Sequence, residues 1–346
     1  MTDINNLAHL VGSIPLNSSE EVFCSICDSI GDHVKRIPDG ETGERTFWIF
    51  YQRQMLADHP AMEQDTSIPK FQFKQWDGKI IREVTLLKLK DDADLDNLVF
   101  PIGYSEHAIA SYDDFSRLQS EGKIPADVKF QVSLPTPFAT GFNYISPNGR
   151  NQFLEVYEKS MAIDVQKIVD VIPHDKLAIQ WDVCQEVLIF ENYFPDRPED
   201  YKQRVFNQLG RIGDIVPADV ELGYHICYGS PGDDHLVKPK DFTVCVEFAH
   251  GIIEIVERSV EFIHMPGTYD KMDDAYFAPL KDLSLPEGCE LYLGLLFFDD
   301  QEGDAARITA ARKVIPEFGI STVCGWGRAD PERVPSLLES HKVTFA

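Results

Sequence analysis

Basic residues are in short supply: 32 lysines and arginines stand against 57 aspartates and glutamates, a formal charge of -25. Phosphate backbones are bound by clustered Lys and Arg, so this balance argues against a nucleic-acid binder. It argues equally against docking on anionic lipid. Long apolar runs are also lacking. No stretch approaches the roughly 20 residues needed to cross a bilayer, and residues 1–15 lack the basic-then-apolar pattern of a signal peptide. No membrane partner is expected. Cysteines number only seven, an odd and sparse set, which suggests reduced thiols and a cytoplasmic setting rather than a disulfide framework. Cys24 and Cys27 form a CxxC inside a helical pattern with no second pair nearby, and read as a half-buried helix face rather than a redox motif. Short repeats and low-complexity segments are absent.

What remains is a well-mixed chain of 346 residues, 43% hydrophobic and 26% charged, enough to build one large core. Short apolar strands alternate with helical patterns, the mark of βα units. Strands are predicted at residues 10–15, 34–38, 128–134, 177–183, 222–227, 260–265, 291–298 and 321–324. Helical stretches fall at residues 20–30, 153–171, 200–215, 241–257 and 305–315, the first with capping-box spacing at Ser18 and Glu21. The expected fold is α/β, a single (β/α)8 TIM barrel spanning residues 1–346. Residues 66–110 form an insertion after the second strand and helix, with a β-hairpin turning at Asp77-Gly78. Long βα loops are expected as well, notably at 267–283.

In such a barrel the chemistry gathers at the carboxyl ends of the strands. The fifth strand ends in His225-Ile226-Cys227, and alternation puts His225 and Cys227 on one side. An imidazole and a thiolate two residues apart suit zinc, although HxC alone more often marks a buried histidine beside a buried cysteine. Cys324 closes the eighth strand, followed by Gly325 and Gly327, which leave room for close approach. His264 ends the sixth strand, where it would be a fourth ligand or a substrate contact. Gln180 and Asp182 share a face at the end of the fourth. After the second strand come Asp39, Glu41, Glu44 and Arg45, acids that a turn before a helix start would also favour.

Taken in order, Gly12-Ser13-Ile14-Pro15, Asp39-Gly40-Glu41 with Glu44-Arg45, Ile179-Gln180-Trp181-Asp182, His225-Ile226-Cys227-Tyr228 and Cys324-Gly325-Trp326-Gly327-Arg328 resemble cobalamin-independent methionine synthase. The match is to that family's C-terminal catalytic barrel and spans nearly the whole chain, so the family's N-terminal companion barrel is expected to be absent. The resemblance implies a Zn2+ site at His225, Cys227 and Cys324 that activates a thiol to accept a methyl group. It places Ser13, Glu41 and Asp182 around the amino-acid portion of that thiol, with Gln180 beside Asp182. Where the family has a carboxylate ligand, this sequence has Ile263-His264-Met265-Pro266, so His264 replaces it or one position stays open. The family's proton-transferring histidine is also missing, and Asp299 or Asp300 in the corresponding stretch would take that role, alongside Asp182.

The expected function is therefore a zinc-dependent methyl- or alkyltransferase acting on a small-molecule thiol with an alkyl donor as partner, and compatible with a homo-oligomer. One alternative is a metal-free decarboxylase or lyase of the uroporphyrinogen decarboxylase-like superfamily, which would want a basic mouth such as Arg45 and Arg328 offer. Another is a non-catalytic zinc- or thiol-binding protein.

Overall fold

The computed structural model describes residues 3–231 and 234–345. After an irregular opening the chain forms α1 (Ser19–Ile30), started by Ser18, whose hydroxyl accepts the Glu21 N–H. The Glu21 carboxylate reaches back to Asn17 rather than to Ser18, a capping box displaced by one residue. Val22, Phe23, Ile26 and Ile30 bury its inner face. Cys24 and Cys27 are half-buried free thiols on its flank, and burial pushes Cys27 up to about 12. The CxxC is packing.

The helix leads to β1 (Arg36–Pro38) and α2 (Phe50–Asp58), then to four short strands, β2 (Met62–Gln64), β3 (Phe71–Lys74), β4 (Ile80–Val84) and β5 (Leu87–Leu89). These pair as two antiparallel ribbons, β2 with β5 and β3 with β4. The expected hairpin turn holds, with Gly78 at φ +84°. From there helices and strands alternate: α3 (Tyr104–Ser120), β6 (Lys129–Pro135), α4 (Pro137–Tyr144), α5 (Arg150–Val171), β7 (Leu177–Val183), α6 (Gln185–Phe190), α7 (Tyr201–Asp214) and β8 (Glu221–Ile226). The last part is α8 (Thr243–Ile255), β9 (Phe262–Pro266), α9 (Asp274–Phe277), β10 (Glu290–Leu296), α10 (Gln301–Arg312), β11 (Gly319–Thr322) and α11 (Val334–Val343).

Seven strands, in the order β1-β6-β7-β8-β9-β10-β11, form one curled parallel sheet. Every position of β7 and all but the first of β6 and β8 are buried, as expected of strands covered on both faces. Eight strands were expected, and the predicted first one, residues 10–15, is not a strand. Ala8 instead makes single parallel bridges to Val34 on one side and Ile320 on the other. Beyond it, the Leu10 and Val11 carbonyls accept from the side chains of Gln131, Ser133 and Gln180, and the Ser13 carbonyl accepts the Trp326 N–H. Side chains replace the ladder there. The loop at 267–283 likewise contains the short helix α9.

The β3–β4 hairpin lies over the carboxyl ends of the sheet. Trp76 Nε1 donates to Asp234 at 2.7 Å, the Lys238 ammonium sits 4.0 Å over the Trp76 ring, and Tyr193 bonds both the N–H and the carbonyl of Lys74.

At the opposite end Arg36 plugs the sheet. Its guanidinium pairs with Glu221 at 3.1 Å and Glu290 at 2.9 Å and lies 4.2 Å from the Phe262 ring centroid. Removing one partner of a buried charge cluster strands the others, typically costing 3–5 kcal/mol. Arg36→Leu is expected to lower unfolding free energy by about 3 kcal/mol in urea titration, and Arg36→Lys to recover only part of it, because a point charge cannot reach both acids.

Candidate metal centre

Two strand ends supply the cluster. Beyond β8, Cys227 continues the line with its N–H on the Val183 carbonyl of β7 at 2.9 Å, and alternation leaves it on the same side as His225. Cys324 follows two residues after β11. A ring nitrogen of His225 and the sulfurs of Cys227 and Cys324 all lie within 4.8 Å of one another, the sulfurs 3.8 Å apart. Gly325 is needed for this approach, since a Cβ there would stand 2.8 Å from the Ser13 nitrogen.

The sulfurs differ electrostatically. Gly229 N–H donates to Cys227 Sγ at 3.3 Å. Arg328, anchored on the Ser230 carbonyl and hydroxyl, donates to Cys324 Sγ at 3.6 Å. Hydrogen bonding from Cys227, together with the Arg328 charge, holds the Cys324 thiol well below its ordinary range in spite of burial. Cys227 is driven up by hydrogen bonding to Cys184 and Cys324 and by burial. Negative charge therefore settles on Cys324.

Do these residues fit a zinc ion? Two sulfurs about 2.3 Å from a tetrahedral ion stand roughly 3.8 Å apart, which is the separation found. His225 Nε2 is buried with no hydrogen-bond partner, while its Nδ1 meets His264 Nδ1 at 2.7 Å. One imidazole and two thiolates are a donor set that zinc prefers. They fit. His264 is not brought in as a fourth donor, because its Nε2 is engaged at 3.0 Å with the Thr322 carbonyl and its Nδ1 with His225.

The cluster forms one wall of a cavity of about 220 Å³. Ser13, Glu41 and Asp182 line it beside the sulfurs, and Phe47, Trp48, Ile49, Phe73, Ile81 and Arg82 line it from the segment after β1 and from the hairpin. Ser13 Oγ donates to Glu41. Burial raises Glu41 to about 7, against the Ser13 hydrogen bond and the Arg45 charge. Burial, then the Glu41 charge, holds Asp182 well above the usual carboxylate range. Two acids that resist ionisation side by side are stabilised by a cation placed between them. Glu41 sits at φ +49°, fixed by Asp39, which accepts its N–H at 2.9 Å and pairs with Arg45 at 2.6 Å. Glu44 points elsewhere, to His107.

Besides His264, two expected site residues lie outside the cavity wall. Gln180 is wholly buried, and its amide is spent on Val11, Asp182 and His9; it organises Asp182. Asp299 is exposed at φ +56° in the turn between β10 and α10, because the strand ends at Leu296 and the chain has already turned outward. Its neighbour Asp300 pairs with Arg307. Sequence reading missed Trp48 and Cys184 in the wall and Arg328 as a partner of Cys324. No spacing rule marks the first two; the third sits four residues after the cysteine. A wider outer groove of about 1200 Å³, bordered by α5 and α7, holds none of the cluster.

No protein-family model matches the sequence, and no curated protein matches it. Solved structures do. One is the "putative vitamin-B12 independent methionine synthase" of Listeria monocytogenes, with TM-score 0.57 and 17% identity over 97% of this chain and 95% of that one. Another is the B12-independent methionine synthase of Shewanella sp. W3-18-1 in complex with selenomethionine, with TM-score 0.58 and 13% identity over 99% and 96%. At these identities the likeness is one of fold: an α/β architecture around a curled parallel sheet, of the TIM-barrel type. Among the described residues no helix is long and apolar enough to cross a membrane.

Since the folded chain holds the Glu41 proton more tightly than an unfolded chain would, raising the pH from about 4.5 to about 7 strips stability from the protein. Glu41→Gln, which cannot ionise, should become more stable relative to wild type across that window, on the order of 3 kcal/mol at pH 8, and show no such gain at pH 4. Urea titrations at both pH values read this directly.

Proposed function

We propose that this protein is a zinc-dependent transferase that moves a methyl or other alkyl group onto the sulfur of a small thiol. The observation that carries the reading is the sulfur pair 3.8 Å apart, with the partnerless nitrogen of His225 beside it. With the Ala8 segment counted as an eighth stave, the fold becomes a (β/α)8 barrel whose carboxyl-end rim is the usual seat of chemistry. The fold-level likeness to methionine synthase structures supports the same class by analogy.

His225, Cys227 and Cys324 are the residues that would hold the zinc, which supplies a Lewis acid able to keep a substrate sulfur deprotonated at neutral pH. Glu41 and Asp182, with Ser13, receive the ammonium group of an amino thiol and ionise as it enters. Gln180 and the Asp39–Arg45 pair keep those acids in place. Asp182, close enough to Cys324 to feel its charge, holds a proton within the cavity and gives it up as the amine arrives. Phe47, Trp48, Phe73 and Ile81 give an apolar wall against which an alkyl donor can be aligned with the sulfur. Arg328 stays with Cys324. His264 orients His225 and is no ligand in this scheme, and Asp299 has no part in it. The acidic wall disfavours the polyanionic substrate that a metal-free decarboxylase would require.

Metal analysis of the folded protein should give one zinc per chain, and Cys324→Ser should weaken zinc binding at least about tenfold, or 1.4 kcal/mol, and abolish turnover of amino thiols with a methyl donor. Asp182→Asn should keep its zinc yet raise KM for amino thiols about tenfold, while barely changing KM for thiols that lack the amine. A folded wild-type chain that takes up no zinc sinks the proposal.

A further inference from the structure

His264 is completely buried in the middle of β9, and neither of its ring nitrogens faces the cavity. We infer that it is a positioning residue, one that fixes the ring proton of His225 on Nδ1 and so leaves the Nε2 lone pair bare on the side of Cys227 and Cys324. The inference deepens the zinc reading and rests on it for its purpose.

The argument is one of donors and acceptors. A backbone carbonyl can only accept, so His264 Nε2, 3.0 Å from the Thr322 oxygen, carries a hydrogen. The contact between the two Nδ1 atoms at 2.7 Å has room for one hydrogen. If His264 supplied it, the ring would be an imidazolium, wholly buried and without a carboxylate among its hydrogen-bond partners, which is a costly state. His225 is therefore the donor. A neutral imidazole with its hydrogen on Nδ1 has a lone pair on Nε2, and that atom is the buried nitrogen with no partner. His9 does not compete, since its Nε2 is occupied by Gln180 at 2.7 Å.

The backbone is shaped for this contact. His264 on β9 reaches across β10 to the last carbonyl of β11, and it passes β10 at Gly294. A Cβ there would stand 2.7 Å from the Thr322 oxygen and 3.0 Å from His264 Nε2. The carbonyl that sets the proton of His225 belongs to the strand that presents Cys324 two residues later. Nitrogen and sulfur donors are thus aligned from a common anchor, as metal-binding histidines commonly are by their outer partners.

The test begins with metal-free protein. Long-range 1H–15N correlation should show His225 protonated on Nδ1 in wild type and in His264→Asn, whose amide oxygen can replace the accepting Nδ1. In His264→Leu the proton should move to Nε2. Zinc affinity, measured by competition with a chromophoric chelator, should fall about 10–100-fold in His264→Leu and be largely restored in His264→Asn. If His264→Leu fails to fold, Gly294→Ala, which intrudes on the same contact, takes its place, with a smaller shift in the same direction. Wild-type His225 protonated on Nε2, or zinc affinity indifferent to these changes, overturns the inference. A wild-type chain with the Nδ1 proton but no zinc uptake supports the assignment while overturning the zinc reading, so the two failures are distinguishable.

Discussion

The site depends first on curvature. In a flat sheet β8 and β11, three strands apart, would lie roughly 14 Å from one another. Here the chain just past their ends brings two sulfurs to 3.8 Å. Large rings fill the interior against small residues: a Cβ at Gly223 would meet the Phe262 ring at 2.2 Å, and one at Gly319 the Tyr292 ring at 2.4 Å. A register shift between β10 and β11 at Gly294 and Leu296 completes the inward turn. Helices packed outside and aromatics packed inside therefore determine whether two distant cysteines can share anything at all.

Charge is then arranged around that meeting point in opposite senses. Arg328 supports a thiolate on Cys324, whereas Glu41 and Asp182 resist ionisation across the cavity. A guest with a sulfur at one end and a cation at the other would satisfy both walls together. The large acidic excess of the whole chain is a separate matter, since surface charge serves solubility while two buried carboxylates choose a ligand.

Much of this was legible in the chain, and the exceptions share a cause. Seven of eight strands could be read from apolar runs, and His225, Cys227 and Cys324 from their places at strand ends. Residues 10–15 resembled a strand because they are apolar and buried, yet their carbonyls are met by Gln131, Ser133 and Gln180, partners more than a hundred residues away that no local pattern reveals. Asp299 failed for a similar reason, since being after a strand says nothing about which way a turn at positive φ will aim the side chain. His264 was expected at the rim, but it lies within β9, and its use was decided by a carbonyl on another strand. Sequence periodicity reports which face a residue occupies; it is silent on the partner it meets there.

The β3–β4 hairpin is attached to the rim by a tryptophan, a tyrosine and a stacked lysine, and it contributes Phe73, Ile81 and Arg82 to the cavity without adding a strand to the main sheet. Selectivity and reactivity consequently occupy different parts of the molecule. Drift in the ribbon can reshape the guest that fits while the cysteine-bearing frame keeps its register, so descendants of such a chain are free to change clientele without relearning how to fold.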